Sequence, residues 1–505
     1  MLDDQSTPDF MDTVAGDDTE SARPSCLRNC LFLAITFTLV FLLAGSSLLT
    51  YLVMTTRERG VSQRPSPVPT SEGLPETIAD QIEPNAVMNT PGASATSSGL
   101  TEPDTSQTLN RIVMINRQGQ VETISPTGEE RRALTSLDDN RIYQFPAWAP
   151  DGSRLAVIGS GRTGSGIYLL EDGGELERAD TRELYFSPNN APFYLYWSPD
   201  SANLGFLANQ SRSMVGLNVV GRDGQNRLLA TGSPFYWDWS EDGQQLLIHS
   251  GQRVAEDKLA FIDLTGNAQA DNLASPGFFQ APGIAPSGRY WAFAERTGPA
   301  LSSLAVTDVT TGERRQYEQA GSIALSWSPT RDQIAYTSGT VDDHPLWGPL
   351  NILDVVTGQI RVLSQQTVIA FFWSPDGRSI AFITLNGSQE DDDAIAAGPE
   401  KVRRVSRMAD NIQQPPSDFL SLSVVDVTTG RGLRLLDFTP TPIFIGQFLP
   451  YFDQYALSHR LWSPDSRSIL LPVRENGLNL ILVIPVAGGR PERLAEGDIA
   501  FWSHR

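Results

Sequence analysis

One phrase recurs along this chain and leaves few folds open: an aromatic-tipped apolar run, a turn of the type Ser-Pro-Asp-Gly, and a second apolar run. It reads FPAWAPDGSRLAVI at 145–158, YLYWSPDSANLGFL at 194–207, YWDWSEDGQQLLIH at 236–249 and GIAPSGRYWAFA at 283–294. It continues as LSWSPTRDQIAYT at 325–337, FFWSPDGRSIAFI at 371–383 and RLWSPDSRSILLP at 460–472, and a last fragment, IAFWSHR, ends the sequence. Stations at 148, 197, 239, 284, 327 and 373 lie 42 to 49 residues apart. A repeat of ~40–45 residues built on short strands is the period of one four-stranded unit in a radial array.

Each unit can be read physically. Pro presets φ, Asp bonds its own backbone and Gly tolerates positive φ, so the turn reverses the chain tightly. The flanking runs are β-branched and aromatic with period-two character, as hairpin strands require. A third strand often ends in Asp-x-Thr-Thr-Gly or a close variant, as in LAVTDVTTG (304–312), NILDVVTG (351–358) and LSVVDVTTG (422–430). A short fourth strand follows, such as RLLA (227–230), RVLS (361–364) or RLLDF (434–438). Four strands make a blade, so the fold class is all-β, a β-propeller. Residues 111–135 supply three outer strands without an inner one, and Ile499–Trp502 is an inner strand without outer ones. Joined, they close the ring and leave no open edge. Seven stations plus this composite give eight blades, with seven or nine as the neighbouring counts. Residues 448–457 (FLPYFDQYAL) mimic a station, but no third or fourth strand fits before Trp462, so a loop is expected there.

The Trp-Ser-Pro-Asp-Gly-x-x-Ile-Ala-Phe phrase, best kept at Trp373–Phe382, resembles the WD40-like repeat of TolB-type propellers. A similar repeat occurs in the propeller half of the dipeptidyl-peptidase and prolyl-oligopeptidase families. The resemblance covers residues 111–505. It implies the fold strongly and the function weakly, because propellers host many unrelated activities. In the peptidases catalysis belongs to a separate α/β-hydrolase domain, and the repeats here run to Arg505 without leaving room for one.

Ahead of the repeats, Leu31–Met54 is uncharged over 24 residues, about 36 Å as a helix and long enough to cross a bilayer core of ~30 Å. It reads as a single transmembrane helix at 31–54. Arginines flank it on both sides, so the positive-inside count leaves orientation open. Residues 55–110 are rich in Pro, Ser, Thr and Gly and read as a disordered stalk. Residues 1–30, with seven acidic groups, read as a disordered acidic cytoplasmic tail, which places the propeller (111–505, with an insertion at 386–418) outside the cytoplasm at the cell membrane. Both cysteines, Cys26 and Cys30, precede the span, so the propeller has no disulfide framework. Two ligands at that spacing do not close a metal site.

Motifs for chemistry are few. The net charge of −21 repels a phosphate backbone and argues against a nucleic-acid partner. Gly159–Gly164 matches Gly-x-Gly-x-x-Gly, but a strand follows instead of the helix a dinucleotide site needs. No nucleophile elbow occurs. His249, His344, His459 and His504 form no metal-ligand pair, and Glu390–Asp393 lacks calcium-loop spacing. No catalytic residue, cofactor or metal is therefore expected. Two long connections stand out. The insertion carries Lys401, Arg403, Arg404 and Arg407, and residues 439–458 carry Phe444, Phe448, Tyr451, Phe452 and Tyr455. Long loops are often functional, so these residues are the expected partner-binding face, the aromatics as exposed anchors. The function expected is non-catalytic binding of a protein or polymer. The alternatives are a polysaccharide lyase or hydrolase using channel residues, with Asp238, His459 and His504 as nominees, and a structural spacer.

Overall fold

The computed structural model describes residues 110–170, 181–211, 213–221, 224–251, 257–277, 281–298, 301–339, 347–386 and 420–505. The expected tail, membrane span and stalk up to residue 109 lie outside these, as does the insertion beyond Asn386. Among the described residues no helix is long and apolar enough to cross a membrane.

The described chain is almost wholly antiparallel β. Five sheets have four strands; one has seven, running from Ser322–Trp327 to Gly432–Phe438; one has three, from Ser468–Glu475 to Glu492–Glu496. Within each repeat the strands pair in sequence order, as a meander. The seven-stranded sheet is continuous because one strand, Gln359–Trp373, is 15 residues long and ends one repeat while beginning the next. The ring closes as a propeller does. Ile499–Trp502 pairs antiparallel with Ile112–Ile115, register Ile112 to Trp502 and Ile115 to Ile499, and Ser503 N donates to the Arg111 carbonyl at 2.8 Å.

The Ser-Pro-Asp-Gly turn is held by one repeated network. The Ser hydroxyl donates to the Asp carboxylate (2.6 Å for Ser374 to Asp376) and accepts from the returning strand (Ser379 N, 2.9 Å). The same carboxylate accepts from the backbone two residues on (Arg378 N, 3.0 Å). The fourth residue takes positive φ, 66° at Gly377, and the same conformation holds where Ser replaces Gly, 57° at Ser201 and 60° at Ser466. The station tryptophans join repeats. The indole of Trp197 donates to the Ala147 carbonyl, Trp239 to Tyr196, Trp373 to Ser326 and Trp462 to Phe372, at 3.0–3.2 Å. Each indole thus reaches the carbonyl just before the previous tryptophan, a side-chain weld between neighbouring sheets.

The fourth repeat departs from this pattern. Its station residue is Ile284 and its inner strand is only Gly283–Ile284; among the described residues the buried Nε1 of the next tryptophan, Trp327, has no hydrogen-bond partner, as is also true of Trp148 and Trp502. The Gly159–Gly164 segment links Leu155–Ser160 to Ser165–Leu170 as a hairpin, the loop its flanking strands imply.

Candidate binding site in the central channel

Alternation along an inner strand turns every second residue toward the channel. In the register one before each station stand Ala147, Tyr196, Asp238, Gly283, Ser326, Phe372, Leu461 and Phe501; three before stand Phe145, Tyr194, Tyr236, Ala281, Ala324, Ala370, His459 and Ile499. The bulk around this ring is uneven. Phe372, Leu461 and Phe501 fill one side, whereas Ser326 is small on the other and Gly283 makes room there for Trp327. Gly283 is required there, because a Cβ would lie 2.7 Å from Trp327 Cδ1.

The connection 439–459 corrects two expectations. The expected loop is a π-turn at Phe444–Phe448, a 3-10 turn at Leu449–Tyr451 and a short α-helix at Phe452–Ser458. The aromatics expected to stand exposed are mostly core: Phe444 and Phe448 are fully buried, Phe452 is 1% and Tyr455 3% exposed, and only Tyr451 shows substantial surface. The physical reason is the channel itself. Phe448 packs on Phe372 and Phe501, Phe452 on Phe371, and Tyr455 on Phe145 and Tyr194, with centroids 4.9–5.9 Å apart. Tyr194 donates to the Gln454 carbonyl at 2.7 Å and Thr441 to the Asp498 carbonyl at 2.8 Å. The segment plugs the ring with its own side chains. Lys401, Arg403, Arg404 and Arg407 lie outside the described residues.

Beyond the plug the channel opens as a cup of about 310 Å³ toward the Ser-Pro-Asp-Gly turns. Asp453 and Leu457 of the plug helix form its floor; Tyr196, Asp238, Trp239, Gly283, Ser326 and Trp327 line its wall; Pro199, Glu241, Pro286 and Pro329 ring its mouth. Asp238 accepts from the Tyr196 hydroxyl (3.0 Å), Trp239 N (2.9 Å) and Ile284 N (2.8 Å). Burial outweighs those bonds and raises its pKa to about 6. Asp453 accepts from Ala281 N at 2.9 Å, and burial raises it to about 6 as well. No Lys or Arg lines the cup among the described residues.

The other nominated channel residues stand apart from it. His459 is buried among Phe145, Tyr455 and Phe501. Its Nδ1 faces Ser458 Oγ at 2.6 Å and its Nε2 faces the Phe145 carbonyl at 3.5 Å. That carbonyl can only accept, which assigns the proton to Nε2. Burial lowers its pKa to about 3. His504 is also pushed well below the ordinary range, by burial first and then by Arg460 and His459. Arg460 donates to the His504 carbonyl at 3.2 Å. Among the described residues no group of three or more His, Cys, Asp or Glu side chains is placed to hold a metal ion. Asp238 was legible in the sequence. Asp453 was not, because nothing in its surroundings marks the plug as part of the channel. The small residues at the two-residue register around Gly283 and Ser326 were the available signal for the cup.

No family model and no curated protein matches this chain. Among solved structures it is similar to an oligogalacturonate lyase from Vibrio parahaemolyticus, at 15% identity, 77% of this chain and 85% of that one, TM-score 0.40. It is also similar to a TolB from Acinetobacter baumannii, at 11% identity, 76% and 78% coverage, TM-score 0.34. A third is described as a eukaryotic initiation factor, at 11% identity, 78% and 98% coverage, TM-score 0.44.

Proposed function

We propose that this chain is a membrane-tethered, eight-bladed, TolB-like propeller that binds a protein or polymer at the extracytoplasmic surface, and that the cup is its binding element. Eight blades follow if the seven-stranded sheet counts as two meanders sharing Gln359–Trp373 and the three-stranded sheet takes Trp462 as its inner member through the Trp462–Ile469 bridge. The uncharged run at 31–54 and the stalk composition after it support the tether.

The observation that carries the binding reading is the plug. The chain fills one end of its own channel and leaves a blind, aromatic-walled, carboxylate-bearing recess at the other, the form of a recognition pocket. The hydrolytic alternative needs histidine near a substrate, whereas His459 is enclosed by Phe145, Tyr455 and Phe501 and does not line the cup. The test is site-specific photo-crosslinking in intact cells. Probes at Glu241 and Pro329 sample the cup mouth, and probes at Arg404 and Tyr451 sample the loops first expected to bind. Adducts from the mouth positions support the reading, and they should persist when residues 388–416 are replaced by a short Gly-Ser link. Adducts only from Arg404 or Tyr451, or none from any position, overturn it.

A further inference from the structure

The cup has a chemistry that restricts its occupant. Its buried side chains include two carboxylates, Asp238 at 6% and Asp453 at 2% exposure, and Glu241 adds a third carboxylate at the mouth. Each buried carboxylate has fewer bonds than its oxygens can take: Asp238 accepts three, and Asp453 accepts from Ala281 N and from the backbone of its own helix turn, against roughly four lone-pair positions each. Their cost of burial is therefore only partly offset within the protein. The aromatic wall of Tyr196, Trp239 and Trp327 presents electron-rich faces.

An unpartnered indole lies in the same wall. Trp327 is 9% exposed and its Nε1 is unpartnered among the described residues. In four other repeats that indole finds a carbonyl of the previous repeat. Here the bond is not made, as it is not made by Trp148 and Trp502, whose buried Nε1 atoms are also unpartnered among the described residues. An unpartnered buried donor beside two under-satisfied acceptors describes a ligand with a cationic nitrogen and a nearby oxygen.

Resting on the binding reading above, we infer that the cup is a recognition site for an ammonium group carried beside a hydroxyl or carbonyl oxygen. The nitrogen sits between Asp238 and Asp453 against the aromatic faces, and the oxygen accepts from Trp327 Nε1. A free amino alcohol and a lysine side chain on a peptide share this chemistry. Arg460, which is coupled electrostatically to Tyr196 and held by the His504 carbonyl, does not line the cup. It stands on the Tyr196 side, so the nitrogen is favoured toward Asp453. The origin of the site is visible in the repeat itself: Ser326 stands at the register that Phe372 and Phe501 hold elsewhere in the ring, and Gly283 makes room for Trp327.

The test is calorimetric titration of the full chain in neutral detergent. Aminopentanol represents the free source and Nα-acetyl-lysine amide the peptide source, with pentanediol and Nα-acetyl-norleucine amide as uncharged counterparts. Binding of either amine without its counterpart supports the inference, and the amine that binds more tightly identifies the source. Asp453→Asn should weaken binding by about tenfold or more, the size expected for one charge-assisted bond. Ser326→Phe, which places at this register the residue found at 372, should fill the cup and abolish binding while the thermal melt stays cooperative. It serves as the second variant should Asp453→Asn fail to fold. Equal heats from amines and counterparts, no heat from either amine, or unchanged binding by a folded Ser326→Phe overturns the inference. Cup-mouth crosslinks in cells alongside a failed titration would leave the binding reading standing and remove only the cationic ligand.

Discussion

Asp238 and Asp453 hold protons to higher pH in the folded chain than the usual carboxylate value of 3.8, while His459 and His504 refuse protons that the unfolded chain would take. The two pairs act in opposite directions. A carboxylate raised to about 6 contributes stability below its unfolded pKa and loses it as pH rises through the window from about 4 to 6. A histidine lowered to about 3 contributes stability above about 6.5 and loses it as pH falls through that value. Between pH ~4.5 and 6 the slopes oppose one another, each about 1.4 kcal/mol per pH unit and group at its limit. Charges near them belong to the same frame: Tyr194, Tyr236 and Tyr451 feel Asp453, and Tyr196 feels Asp238 and Arg460. Asp238→Asn with Asp453→Asn should therefore unmask the histidine slope. Melting curves from pH 7 to 4.5 should show the double variant losing stability on acidification more steeply than the parent. Parallel curves would mean that the carboxylates titrate normally. The sequence marked Asp238 and His459 as channel neighbours because stations fix register, but it could not show their pKa values, which depend on burial by a segment from elsewhere in the chain.

Strands and turns were legible because each carries its own chemistry. The Ser-Pro-Asp-Gly network and the Asp-x-Thr-Thr-Gly turn, where Asp426 accepts from Thr429 N and Oγ1 at 2.7 and 2.8 Å, are local and need no tertiary partner. The plug helix is the opposite case. Phe452–Ser458 is seven residues with no side-chain cap, too short to persist alone, and its aromatic content reads equally well as strand or loop. Tertiary packing decides it, since the ring supplies the apolar wall that the helix lacks. The same facts change what its aromatics do. Phe448→Ala and Phe452→Ala should each cost about 3–5 kcal/mol through lost burial and the cavity left behind, read as a large drop in melting temperature. Tyr451→Ala, at an exposed position, should change stability by less than about 0.5 kcal/mol. Near-parental melting of both Phe variants would show that the plug is dispensable and would reopen the case for these residues as surface anchors.

For the molecule as a whole, stability rests on closing a ring whose first and last strands are nearly four hundred residues apart in sequence. Ile499–Trp502 pairs with Ile112–Ile115 across four residues, and Asn110 N adds a bond to the Arg505 carbonyl at 2.6 Å. All four strand residues are buried, with Phe501 packed on Phe448 of the plug and Trp502 bridged to Arg460. Removing residues 498–505 would therefore act at three places together. It uncovers the Ile112–Ile115 edge, strips a Phe from the channel packing, and breaks the link from the last repeat to the first. Truncating a buried Phe or Trp costs about 3–5 kcal/mol each, and a native domain has only about 5–15 kcal/mol in reserve. The truncated chain should lose its cooperative melt or aggregate through the open edge, the usual fate of an unpaired apolar strand. Differential scanning calorimetry alongside size-exclusion chromatography of the purified full-length and truncated chains reads both effects. A truncated protein that stays monodisperse and melts within a few degrees of the parent would show that neighbouring repeats stack without a closed ring, as in an open solenoid, where each unit depends only on its neighbours.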